Sequence, residues 1–222
     1  MIRPCYLLFL SVLLVLVACN DGVKKDYWEN GKLKSELRYE DDKLNGESVW
    51  YNKQGGVMTR AFYRNDTLEG HYQRFHQNGG LELECWYKNG LRDSICRSYS
   101  EKGNMVSEDY YINGKLDGGS KKWYDNGQVF QEGQYKDGMM DGAWFIFYPE
   151  GQLAAKAEYR MGTGKQTCYA EEGYKCLEIS YVDNQKHGKE MYYNPVGTLI
   201  KVIEYEEGKV IFEDNDPLKA NE

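Results

Sequence analysis

A glycine recurs along this chain at Gly31, Gly55, Gly79, Gly103, Gly127, Gly151, Gly173 and Gly197, with spacings of 24 five times, then 22, then 24. A period of this length means small units, each too small to bury a core alone and dependent on its neighbours in a stack. The columns around the glycine repeat with it. Four residues before stands an aromatic: Tyr27, Tyr51, Phe75, Tyr99, Trp123, Phe147, Tyr169 and Tyr193. Eight residues after stands a tyrosine in every unit: Tyr39, Tyr63, Tyr87, Tyr111, Tyr135, Tyr159, Tyr181 and Tyr205. Two residues after comes Leu33, Val57, Leu81, Met105, Val129, Leu153, Lys175 or Leu199, where only Lys175 breaks an apolar column.

Each unit therefore reads as an aromatic strand, a Gly turn, a strand ending in Tyr, and a second turn. Asn30-Gly31 and Asn126-Gly127 are turn signals because Asn and Gly tolerate positive φ. The second turn is placed at Lys43–Gly46, Thr67–Gly70, Lys115–Gly118 and Met139–Gly142. Turns about every 12 residues are the spacing of an all-β meander. The 20 Tyr, 24 Gly and 4 Pro suit many short strands with tight turns. Strands alternate: Leu33, Ser35, Leu37 and Tyr39 share one face, and Lys34, Glu36 and Arg38 the other. In the sixth unit Leu153, Ala155, Ala157 and Tyr159 oppose Lys156 and Glu158. A lone hairpin is marginal in water, so neighbours must pair edges. The expected fold is all-β: an elongated antiparallel array of about eight stacked β-hairpin repeats in an open, twisted sheet.

Residues 1–18, MIRPCYLLFLSVLLVLVA, read as an export signal, with one positive charge before an apolar run short for a spanning helix. The run ends Leu16-Val17-Ala18-Cys19 and turns polar at Asn20 and Asp21, a pattern that resembles the bacterial lipobox. Cys19 is thus the expected lipidation site, residues 19–26 a lipidated Cys and tether, 27–213 the repeat domain and 214–222 a disordered tail. The localisation this implies is the bacterial envelope, outside the cytoplasm, with membrane contact through the lipid anchor only.

An exported body permits disulfides among the remaining Cys85, Cys96, Cys168 and Cys176. If Asn89–Arg92 forms a four-residue turn, Cys85 faces Cys96. If Glu171-Glu172-Gly173 forms a three-residue turn, Cys168 faces Cys176. Disulfides 85–96 and 168–176 are the expectation.

The Asn-Gly-Lys-Leu turn, a Glu shortly after it, the Tyr, and a second turn ending in Gly resemble the bacterial MORN-repeat-variant family. The stretches Tyr27–Gly46, Trp123–Gly142 and Tyr99–Gly118 match best, and the resemblance runs from residue 27 to about 212. It implies stacked hairpins, no catalytic activity and a protein-binding or scaffolding role; many members carry an antitoxin-like label. The family's recurrent positions are structural, so no functional residue carries over. The last three units depart from the pattern: Gly162 and Gly164 read as a shifted turn, two residues are missing before Tyr169, and Gly208 is followed by no closing Gly.

The formal charge of −7 and the lack of a basic stripe argue against nucleic acid, whose affinity comes from Lys and Arg on phosphates. The Tyr column reads as ladder packing with hydroxyls at the edge. The less regular aromatics Trp28, Trp50, Phe62, Trp86, Tyr110 and Trp144 are the better candidates for partner contacts. Glu36, Glu84, Glu108, Glu132 and Glu178 form a row ~10 Å apart, too far to share a metal and suited to pairing with Lys and Arg. His71, His76 and His187 show no metal spacing, and no nucleophile, P-loop or dinucleotide motif occurs. No catalytic residue, cofactor or metal is assigned. The reading is a non-enzymatic, protein-binding or scaffolding envelope lipoprotein. An antitoxin-like immunity protein and a cell-wall or glycan-binding module, similar in unit length and aromatic content to choline-binding wall repeats, are the alternatives.

Overall fold

The computed structural model describes residues 22–217, so the leader and Cys19 lie outside the described residues. All its regular structure is strand, seventeen in number. They are β1 (Gly22–Tyr27), β2 (Leu33–Glu40), β3 (Lys43–Tyr51), β4 (Val57–Arg64), β5 (Thr67–Phe75), β6 (Leu81–Lys88), β7 (Leu91–Tyr99), β8 (Met105–Ile112) and β9 (Lys115–Trp123). There follow β10 (Val129–Lys136), β11 (Met139–Phe147), β12 (Leu153–Arg160), β13 (Thr163–Tyr169), β14 (Lys175–Val182), β15 (Gln185–Tyr193), β16 (Leu199–Glu206) and β17 (Lys209–Asp214). Each pairs antiparallel with the next in sequence, so the sheet is one open meander with β1 and β17 at its edges. Residues 22–26, expected as tether, are strand, because Val23–Asp26 find partners in Ser35–Arg38. At the other end β17 takes in Asp214, the first residue assigned to the tail.

Two kinds of turn alternate. At one end the periodic glycine closes a three-residue loop: Trp28 N–H donates to the Lys32 carbonyl and Gly31 N–H to the Trp28 carbonyl, each at 2.8 Å. Gly31 sits at φ 79°, which a Cβ disfavours. At the other end the turns are not where the sequence placed them. Lys43, Thr67, Lys115 and Met139 already lie in strands. The chain reverses two residues earlier, at Asp41-Asp42, Asn65-Asp66, Asn113-Gly114 and Asp137-Gly138, with positive φ at both positions. These are type I′ turns, whose twist matches the strands they join.

The glycine that follows serves a different purpose. Leu37 pairs with Ser48 but Tyr39 with Leu44, so Asn45, Gly46 and Glu47 stand against Arg38 alone. This is a three-against-one bulge with Gly46 at φ 98°. On its other side Gly46 pairs with Tyr63, and likewise Gly70 with Tyr87 and Gly118 with Tyr135. Every periodic tyrosine but Tyr111, which pairs with Ser94, thus lies beside a residue with no side chain. The 22-residue unit is the one whose bulge is missing: β13 has 7 residues where β11 and β15 have 9, and β12 and β13 pair without a shift. Met161-Gly162 is an ordinary I′ turn in its ordinary place, not a shifted one.

Turns of successive repeats bond directly. Gly90 N–H donates to the Leu68 carbonyl at 2.9 Å, Gly114 to Arg92 at 2.8 Å and Gly138 to Leu116 at 2.7 Å. The acidic residue before the bulge glycine caps the next turn: Glu69 accepts from Asn89 N–H at 2.8 Å and Asp141 from Met161 N–H at 2.9 Å. At the opposite end the turn asparagines reach forward, Asn30 to the Lys53 carbonyl, Asn78 to Glu101 and Asn126 to Pro149, at 2.8–2.9 Å. Flat neighbouring hairpins would hold like turns two strand spacings apart, ~10 Å. Their contact means the sheet is strongly coiled.

Coiling explains the burial. Ser35, Ser48, Ala61, Cys85, Cys96, Ser120, Trp144, Ala155, Tyr159, Ile179 and Glu190 are buried and share one face, here the inner face, on which no second layer packs among the described residues. Many are small, as a tight coil requires. Where a large ring enters, space is made for it: a Cβ on Gly133 would stand 2.1 Å from the Trp144 ring. Periodic tyrosines pack edge-on here, Tyr63 against Trp50 at 6.3 Å, Tyr135 against Trp144 at 4.9 Å, and Tyr159 against Tyr181 at 5.8 Å between ring centres. Burial raises the phenol pKa of Tyr63, Tyr135, Tyr159 and Tyr181.

Cys85 and Cys96 are disulfide-bonded across β6 and β7, their Cα atoms 4.2 Å apart. The turn between them has two residues, Asn89-Gly90, and the bulge in β7 supplies the remaining offset that a four-residue turn would have given. Cys168 and Cys176 are free thiols, contrary to the expected bond. The Glu171–Gly173 loop is present, closed by Ala170 and Tyr174, and Tyr169 pairs with Lys175. A one-residue bulge at Cys176 then sets Leu177 opposite Cys168.

Candidate functional site

The outer face carries two rows that cross the strands at right angles. The first is ionic. Arg97 on β7 lies between Glu84 on β6 at 3.5 Å and Glu108 on β8 at 2.8 Å, and Lys121 on β9 meets Glu132 on β10 at 2.7 Å. Lys25–Glu36 at 3.4 Å and Arg60–Glu47 at 3.1 Å continue it toward the N terminus. The glutamate row of the sequence is therefore one side of an alternating ladder. Glu84 is its best-connected member, accepting also from the Tyr99 hydroxyl at 2.9 Å and standing 3.4 Å from His71 Nε2.

Beside the ladder runs an apolar row. Phe62 lies over the β5 bulge, 3.8 Å from where a Cβ on Gly70 would be. His71 pairs with Trp86, their rings stacked at 4.4 Å, and Ile95 pairs with Tyr110. Phe62, His71, Trp86, Ile95 and Tyr110 cover five adjacent strands, β4 to β8, a strip of ~19 Å at the usual strand spacing. Phe62 and Tyr110 remain 39% and 41% exposed. The strip continues into a shallow depression of about 400 Å³, where Gly119 and Ala143 leave a gap between Tyr110 and Phe145, rimmed by Glu108, Lys121, Glu132 and Gln134.

Three of the six aromatics singled out from the sequence, Phe62, Trp86 and Tyr110, thus meet on one surface. The other three do not join them. Trp144 is buried at 4% exposure on the inner face, its indole N–H donating to the Gln134 carbonyl at 3.0 Å, so it is a core residue and not a contact. Trp50 shares the inner face with Tyr63. Trp28 belongs to the turn stack, donating to the Tyr51 carbonyl at 3.1 Å, and His76 sits likewise against the Tyr99 carbonyl at 2.8 Å. His71, Ile95 and Phe145 complete the surface but fall in no repeating column. Their face follows from the strand register, in which His71 stands opposite Trp86 and Ile95 opposite Tyr110.

A family model described as MORN repeat variant matches residues 20–41, 68–89, 116–137 and 140–161. Four hairpin units of the chain are thus MORN repeat variants. Each MORN match ends on the first residue of an I′ turn, Asp41, Asn89, Asp137 or Met161. The family unit is therefore the hairpin built around the three-residue Gly loop. No curated protein matches the chain. Solved structures similar to this MORN array include "Crystal Structure of TcdB2-TccC3-Cdc42" and "Crystal Structure of TcdB2-TccC3", each 12% identical over 87% of this chain, with TM-scores of 0.23 and 0.20. This chain spans 13% and 14% of theirs, and at such scores the likeness carries no argument.

Proposed function

We propose that this chain is a non-enzymatic scaffold of the bacterial envelope, held by lipid on Cys19, that binds a protein partner on its outer face. The observation that carries the reading is the aromatic strip over β4–β8 lying directly beside an ion ladder. Interface centres favour aromatic anchors ringed by polar groups. Coiled hairpins present such a strip rigidly, at little ordering cost on binding. The charged ladder supplies register and selectivity more than affinity.

A wall glycan is the second reading, favoured by the depression that Tyr110 of β8 and Phe145 of β11 both line. The test is affinity capture from detergent-solubilised envelope with the full chain and with the triple variant Phe62→Ser, Trp86→Ser, Tyr110→Ser. The expected result is a small set of proteins retained by the first and lost by the second, with equal circular dichroism. A single retained toxin would make the scaffold an immunity protein. Equal capture by both baits, or retention on purified wall sugars alone, would overturn the protein-binding reading.

A further inference from the structure

The two edges of this sheet are unlike. The β1 edge is charged and its charges are occupied: Lys25 meets Glu36 at 3.4 Å, Asp26 meets Lys34 at 2.8 Å, and Lys24 lies over the Tyr39 ring at 4.2 Å. Such side chains are how natural sheets discourage further pairing. The β17 edge has no comparable protection at its centre. Val210, Ile211 and Phe212 are consecutive and each more than half exposed. No strand pairs with the far side of β17 among the described residues.

The order of residues along β17 identifies the occupant. It reads Lys209, three apolar residues, then Glu213 and Asp214: a base at one end, acids at the other, an apolar centre between. Antiparallel pairing of two such strands sets each base beside the other's acids and joins the apolar centres. Parallel pairing would set like charges together. Glu213 is already tied to Lys201 at 2.6 Å, while Lys209 and Asp214 make no ion pair among the described residues. A two-fold contact is self-complementary by construction, as this sequence is.

We infer that β17 pairs antiparallel with β17 of a second copy, making a two-fold dimer with one continuous sheet through both arrays. Lys209 of each copy meets Asp214 of the other, and the exposed Val210–Phe212 segment is covered. The strip on β4–β8 lies far along the sheet from this edge, so each dimer offers two partner surfaces.

The test is the molar mass of the full chain in detergent by light scattering, corrected for detergent, across a dilution series. Three proteins are compared: wild type, Lys209→Glu, and the swap Lys209→Glu with Asp214→Lys. The expected result is a wild-type dimer, association weakened by about tenfold or more in the single variant through like-charge opposition, and recovery in the swap. Monomeric wild type at all concentrations would overturn the inference. So would a dimer indifferent to Lys209→Glu, which must use another surface or a shared micelle. Equal circular dichroism of the three proteins confirms that the array is folded in each.

Discussion

Ser94 occupies the bulge position that Gly46, Gly70, Gly118, Gly142 and Gly188 hold in other repeats, and it takes the same backbone, φ 85°. A side chain there costs about 1–2 kcal/mol through contact of Cβ with the carbonyl oxygen. Replacing it by glycine removes that cost but adds about 0.4–1 kcal/mol of unfolded-chain entropy. Ser94 is exposed and its hydroxyl makes no hydrogen bond among the described residues, so little else is lost. The net expectation for Ser94→Gly is a gain of about 0.5–1 kcal/mol, and for Gly70→Ser a loss of similar size. In a stack with nearest-neighbour coupling the effect is local. Hydrogen exchange of β7 and β8 amides should slow by roughly two- to fivefold in Ser94→Gly, and that of β5 and β6 should quicken in Gly70→Ser. Unchanged or faster exchange in Ser94→Gly, with a silent Gly70→Ser, would refute the argument that the bulge demands glycine.

Three further outcomes follow from the inner face and the cysteines. Glu190 is 3% exposed; burial alone would raise its carboxyl pKa, but hydrogen bonds from Lys186 at 2.8 Å, Tyr205 and Tyr192 at 3.0 Å outweigh that and hold it below the usual range. A depressed carboxylate adds stability that is complete above its unfolded value of 4.5 and lost as pH falls through the folded value. The Tm gap between wild type and Glu190→Gln should therefore be wide at pH 7 and shrink in acid; a gap constant with pH would contradict it. Gly133→Ala drives a methyl into the Trp144 ring and should cost about 1–3 kcal/mol in urea unfolding, with a smaller loss when Trp144→Leu is also present. Maleimide labelling of the unfolded, unreduced protein should mark Cys168 and Cys176 but not Cys85 or Cys96, and reduction should lower stability by about 3 kcal/mol for the 11-residue separation. Four labelled or four unlabelled cysteines would each contradict the observed pairing.

The misplacement of the second turn shows where sequence reasoning runs short. Asn45-Gly46 has the composition of a hairpin turn, yet Asp41-Asp42 makes the turn and Gly46 the bulge. Both positions need positive φ, and residue preference alone does not separate them. Phe62, Trp86 and Tyr110, each seven residues after a turn glycine, point out together by simple alternation, while Trp144, two residues after the bulge Gly142, points inward. The bulge in β7 brings Cys96 opposite Cys85, whereas a different, one-residue bulge at Cys176 leaves Cys168 opposite Leu177.

By itself the sequence determined the repeat, its period, the three-residue Gly loops, the antiparallel meander and the alternation of apolar with charged positions. All of these follow from local backbone preference and from a pattern repeated eight times. The tertiary structure alone decided the bulge register, the bonded cysteine pair, the coiling that buries one face of a single sheet, and the contrast between its two edges. Those depend on which residues of different strands stand opposite, and a shift of one residue there exchanges inside for outside.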